Sequence, residues 1–163
     1  MAEGTARAGA PDGLDGSGLR IGVVRARWNA PIVERLADGV ARGLKALGVV
    51  ADDVVEVPVP GSFEIPFAAR ALATSGRVDA VVCIGAVIRG ETTHYDIVAG
   101  ECAAGVQQVQ LTTGVPVAFG VLTTEDEAQA LARSQEPGGH NVGEEAAMVA
   151  VEMARIAQRH APG

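Results

Sequence analysis

His94 stands where an apolar run gives way to chemistry. Ala80 to Ile88 is wholly hydrophobic apart from one glycine, and Arg89, Gly90, Glu91, Thr92, Thr93 and His94 follow at once. A histidine at the start of a helix faces the positive end of the helix dipole, which disfavours a cation and predicts a neutral ring able to accept a proton. Thr92 and Thr93, with the backbone amides around them, offer an anion site at the same helix start; plain capping is the simpler use of such a pair. Trp28 and Phe63 are two of only five aromatics. Both fall in turns, where a flat ring can be stacked upon or can simply pack the turn. Glu64, beside Gly61 and Ser62, could accept hydroxyls of a polyol or answer the dipole of its own helix. Arg133 could hold a phosphate or settle on a helix C-terminus. One base, two rings, a hydroxyl-binding carboxylate and an anion site fit condensation of a planar polar molecule with a small phosphorylated one, through positioning and proton transfer.

The elements that must hold these groups alternate. Leu19 to Val24 predicts a first strand, broken at Trp28-Asn29-Ala30-Pro31, with Asn29 the expected N-cap of a helix over Ile32 to Leu47. Val54 to Val59 predicts a second strand, Pro60-Gly61-Ser62 a turn, and Phe63 to Thr74 a second helix. Ala80 to Ile88 is the third strand and Thr93 to Thr112 a long helix. Val115 to Leu122 is the fourth strand, Glu125 to Ser134 a helix, Gln135 to Asn141 a Pro/Gly loop and Glu144 to Arg159 a last helix. Alternation of this kind predicts an α/β three-layer fold with a four-stranded parallel sheet and right-handed crossovers. All strand-to-helix turns then share one edge, where ligands of such sheets bind. Trp28-Asn29, the Gly61–Glu64 turn, the Arg89–His94 segment and Thr123-Thr124 converge there. Met1 to Gly18, rich in Gly, Ala and Asp, reads as a flexible tail, and 19–160 as a single domain.

Composition narrows the function. Hydrophobic residues are 48% of the chain and aromatics 3%, so the core must be built of Val, Ala, Leu and Ile. A net charge of −7, with Lys45 the only lysine, argues against nucleic acid. The apolar runs are strand-sized, which predicts no membrane span, and the N-terminus shows no apolar signal region. Cys83 and Cys102 lack metal-ligand or redox spacing and read as reduced thiols of a cytoplasmic protein. No G-x-G-x-x-G follows the first strand, and no P-loop, H-E-x-x-H, C-x-x-C or G-x-S-x-G occurs. Redox, NTP-driven, metal-dependent and acyl-serine chemistry are poorly supported.

Three motifs together carry a resemblance: P-G-S-F-E-I-P at Pro60–Pro66, G-A-V-I-R-G-E-T-T-H-Y-D at Gly85–Asp96 and F-G-V-L-T-T at Phe119–Thr124. In this order and spacing the chain resembles the lumazine synthase family of riboflavin biosynthesis, from about Arg20 to Arg159. The resemblance implies a flavodoxin-like fold and condensation of 5-amino-6-(D-ribitylamino)uracil with 3,4-dihydroxy-2-butanone 4-phosphate. The products would be 6,7-dimethyl-8-ribityllumazine, phosphate and water, with no cofactor and no metal. It implies proton transfer by His94, stacking on Trp28, ribityl binding by Ser62, Phe63 and Glu64, and backbone recognition of the uracil at Ala86, Val87 and Ile88. Glu91 and Thr92 would face the butanone phosphate. Phe119 and Arg133 would reach the site of a neighbouring subunit, in a homo-oligomer built on pentamers.

Two positions depart from the family pattern. Trp28 stands where many members carry phenylalanine. Asn141-Val142-Gly143 replaces an N-K-G triplet, so a second phosphate-binding cation is missing there, with His140 a possible substitute. The Ser134–Val142 loop is longer than in shell-forming relatives and fits free pentamers or their dimers. A carrier that binds flavin or lumazine without efficient chemistry, and a shell protein valued for assembly alone, are the competing readings.

Overall fold

The computed structural model describes residues 9–162; the first eight residues of the expected tail lie outside the described residues. The four strands are β1 (Ile21–Ala26), β2 (Val54–Val59), β3 (Ala80–Ile88) and β4 (Val117–Thr124). They form one parallel sheet in the order β2-β1-β3-β4. Five helices lie on its two faces among the described residues: α1 (Ala30–Ala46), α2 (Ile65–Ala73), α3 (His94–Thr113), α4 (Glu127–Ala132) and α5 (Val142–Arg159). This is the three-layer, flavodoxin-like α/β arrangement. Its strand order reverses between β1 and β3.

The period of two along β3 divides the core. Ala80, Val82, Ile84 and Ala86 face α1 and α5, together with Ile21, Val23, Leu36, Leu44, Ala147 and Val151. Val81, Cys83 and Val87 face α2 and α3, with Val24, Ile65, Leu72, Cys102 and Val106. The side chains of β3 thus fill one core or the other in turn, as a central strand covered on both sides requires. The two helices of the first layer approach through small residues. A side chain at Gly43 would meet Ala147 Cβ at 2.8 Å and Glu144 O at 2.9 Å, so α1 and α5 touch nearly backbone to backbone.

Bounds shift where pairing outweighs local polarity. β1 runs on through Arg25 and Ala26, because Arg25 pairs with Pro58 on one side and Ile84 on the other. Its guanidinium lies 3.3 Å from Glu56. β4 starts two residues later than the sequence suggests and extends to Thr124, opposite Ile88. The second helix begins with a 3-10 turn, Ser62–Glu64, before α2 proper. α5 starts at Val142, not Glu144. Asn141 caps it, accepting the Glu144 N–H at 3.1 Å. α4 is shorter than expected because Asp126 caps it, accepting the Gln129 N–H at 2.8 Å. The described part of the N-terminal segment is tied to the body: Gly16 N–H donates to Leu47 O at 2.6 Å, and Arg155 donates to the carbonyls of Asp15 and Ser17 at 2.8 Å.

Candidate active site

β1, β2 and β3 all end at the same rim, and a cleft of about 550 Å³ opens there. It sits at the β1/β3 reversal, where open parallel sheets bind ligands. Its walls are the turn after β1, the 3-10 turn after β2, the end of β3 and the first turns of α3. The volume is that of a small-molecule site.

Each wall has a local cause. Trp28 N–H donates to Pro60 O at 3.0 Å and Arg27 N–H to Val59 O at 2.8 Å, which ties the turn after β1 to the turn after β2. The Trp28 indole stays 64% exposed and Phe63 55%, so two large rings face open space beside a polar rim. Ser62 is buried, and Gly85 makes room for it: a side chain at Gly85 would meet Ser62 Oγ at 2.6 Å. Glu64 Oε2 accepts the Gly61 N–H at 3.0 Å, which fixes its carboxylate beside the cleft.

Asn29 takes the expected N-cap position of α1, but its side chain does not make the expected capping bond. Pro31 has no N–H to offer, and the N–H groups of Ile32 and Val33 already donate to Asn29 O at 3.1 Å. The amide instead reaches across the sheet, and Nδ2 donates to Ala86 O at 2.8 Å. Its backbone is left-handed, φ 59° and ψ 42°, the one positive φ at a non-glycine among the described residues. A strained turn therefore braces the end of β3.

His94 opens α3. Its N–H donates to Thr92 Oγ1 at 3.3 Å, so this threonine holds the first helical N–H and also lines the cleft. The segment before it is anchored by Arg89, whose Nε donates to Glu125 at 2.7 Å, whose Nη1 lies 3.3 Å from Asp96, and whose guanidinium sits 4.2 Å over the Tyr95 ring. The Glu125 bond foremost, and then Asp96, hold the Arg89 pKa above its ordinary value.

Nine of the expected site residues meet in this cleft: Trp28, Ser62, Phe63, Glu64, Ala86, Val87, Ile88, Thr92 and His94. Asn29, which the sequence puts in the same turn as Trp28, also lines it; Tyr95, Ile97 and Val98 line it too and were not named as site residues from sequence. Ile97 and Val98 lie one turn beyond His94 on the same helical face, a spacing that could have found them. Glu91, Phe119 and Arg133 do not line the cleft. Phe119 is 39% exposed on β4, and Arg133 turns back to donate to Gln129 O at 2.9 Å. His140 does not stand free beside Arg133; its Nε2 lies 3.0 Å from Glu145. A larger hollow of about 740 Å³ lies between α1 and the edge of β2, but only Lys45 and Glu56 are charged among its apolar walls, and no histidine or aromatic ring lines it. Among the described residues no group of three His, Cys, Asp or Glu is placed to hold a metal ion, and no helix is long and apolar enough to cross a membrane.

The chain matches a known family over most of its length. The family model described as 6,7-dimethyl-8-ribityllumazine synthase covers residues 18–158. The protein of that name from Paraburkholderia phytofirmans is 51% identical over 144 residues, 88% of this chain and 83% of its own. That of Paraburkholderia phymatum is 49% identical over 144 residues, covering 88% and 81%. That of Burkholderia multivorans is 49% identical over 143 residues, covering 88% and 80%. A match spanning both cores and every wall of the cleft shows the relationship, and the chain belongs to the 6,7-dimethyl-8-ribityllumazine synthase family.

Proposed function

We propose that this chain condenses 5-amino-6-(D-ribitylamino)uracil with 3,4-dihydroxy-2-butanone 4-phosphate to 6,7-dimethyl-8-ribityllumazine, releasing phosphate and water, in the cleft at the ends of β1, β2 and β3. The observation that carries the reading is the meeting of His94, Trp28, Phe63, Ser62 and Glu64 in one hollow beside the end of β3.

The pyrimidine stacks on Trp28 and is read by backbone groups of Ala86, Val87 and Ile88. Its ribityl chain runs along Ser62, Phe63 and Glu64, where the second carboxylate oxygen of Glu64 accepts hydroxyls while the first holds the Gly61 amide. The butanone phosphate lies by Glu91 and Thr92. The pyrimidine amine attacks the ketone carbon, a C–N bond forms, and the carbonyl oxygen leaves as water. Loss of phosphate and closure of the second C–N bond, with release of water, complete the ring. His94 takes and returns the protons of these steps; the rest of the catalysis is positioning.

Phe119 and Arg133 serve a neighbouring subunit's cleft in this reading, because both sit away from the cleft of their own chain. A head-to-tail contact of that kind must close into a ring or run on as a fibre, and we propose a pentameric ring. The ring works in the cytoplasm without cofactor. Mixing the two substrates with purified protein and following lumazine absorbance tests the activity. Product above the uncatalysed rate is expected; none, with bound flavin instead, would favour the carrier reading.

A further inference from the structure

Gly61 has an ordinary extended backbone, φ −137° and ψ −177°, that any residue adopts. Conformation therefore gives no reason for a glycine there. Space does. A side-chain carbon built at Gly61 would lie 2.7 Å from Trp28 Cζ3 and closer still to Cε3, and 3.3 Å from Cδ2. The benzo half of the indole rests on the bare Cα of Gly61. The two backbones are tied together by the Trp28 N–H to Pro60 O bond, so neither can withdraw easily. The ring itself, 64% exposed, is what must move.

We propose that Gly61 is a positioning residue for the stacking platform: its missing side chain lets the Trp28 ring settle against the 60–64 turn, and that seat sets the affinity for the pyrimidine. This rests on the functional reading above. Any side chain at 61 lifts the indole off the turn and tilts it across the cleft. Gly61→Ala keeps the N–H that Glu64 accepts, so the carboxylate stays anchored and the effect falls on the ring.

Trp28 is the only tryptophan in the chain, so intrinsic fluorescence reports this ring alone. Gly61→Ala is expected to shift the emission maximum and raise acrylamide quenching without altering the far-ultraviolet circular dichroism. It should raise KM for the pyrimidine about fivefold, the loss of roughly 1 kcal/mol of stacking. The turnover number and the KM of the butanone phosphate should stay put. In a Trp28→Ala background the same Gly61→Ala change should add nothing. An unchanged emission spectrum, or an equal pyrimidine KM penalty with and without the indole, would overturn the proposal. Should Gly61→Ala fail to fold, the double variant decides: folding recovered on removing the indole supports the seat, and continued failure refutes it. The fluorescence arm needs no substrate. A spectral shift in a protein that forms no lumazine at all would uphold the seat while contradicting the functional reading.

Discussion

Asn29 offers a direct test of how the cleft is held. Its residue type does two things: it occupies a left-handed backbone and it donates to Ala86 O across the sheet. The two can be separated. Asn29→Ala loses the bond and leaves an ordinary side chain in the left-handed region. The bond is worth about 1 kcal/mol and the backbone penalty about 1 kcal/mol, so the loss should be about 2 kcal/mol. Asn29→Gly loses the same bond but is free of the backbone penalty, so its cost should be about 1 kcal/mol or less. In a chain of this size 1 kcal/mol moves the midpoint by about 2–4 °C. Thermal unfolding at one fixed protein concentration should therefore rank wild type above the glycine variant and the glycine variant above alanine. The pyrimidine KM should rise equally in both, since both release the carbonyl at the end of β3. An alanine variant as stable as glycine would refute the claim of strain. A KM change confined to alanine would refute the claim that the amide braces the site.

Asn141→Ala should cost about 2–3 kcal/mol, read from the unfolding midpoint, because this buried amide donates to Arg35 O and Gln135 O at 3.0 Å while its oxygen caps α5. Burial pushes the Cys102 thiol up to about 12 and Cys83 higher still. Both are free and buried, so neither should react with a thiol reagent at pH 8 until the protein is denatured. The folded protein holds these protons more tightly than the unfolded chain, whose thiols titrate near 9.0. Their contribution to stability is thus complete below that pH and is lost as pH climbs toward 12, so denaturation midpoints should fall across that window. His94→Ala should lower turnover while leaving pyrimidine binding intact by titration; total loss of binding would contradict a proton-transfer role. Co-assembling His94→Ala subunits with Arg133→Ala subunits should recover part of the activity, through clefts that draw an intact histidine from one chain and an intact arginine from the next. No recovery in verified mixed rings would argue against a shared site.

What the sequence discloses depends on how far away the deciding partner lies. β2 and β3 are legible to the residue, because Pro60-Gly61 and Arg89-Gly90 punctuate apolar runs. The ends of β1 and β4 are not, since Arg25 and Thr124 look like loop residues until Pro58 and Ile88 stand opposite them. The cleft residues are legible because the topology sends three turns to one rim, and each turn carries its own polar or aromatic marker. Asn29 is legible as the N-cap position of α1, but the partner of its side chain is not. An asparagine before Ala-Pro looks like a cap, and the carbonyl that claims it lies 57 residues away. The start of α5 hides for a similar reason: Asn141 is held by α1 and by Gln135, and Glu144 merely looks like the first turn. Nothing in the local pattern tells that Phe119 and Arg133 stand apart from the cleft of their own chain.

A crystal structure with a non-reactive ribitylaminopyrimidine bound tests the central claim most directly. The heterocycle should lie against Trp28 at the end of β3, with its polyol beside Glu64 and the His94 imidazole facing the ring. A ligand seated in the larger hollow between α1 and β2, or a His94 ring turned away from it, would contradict the account.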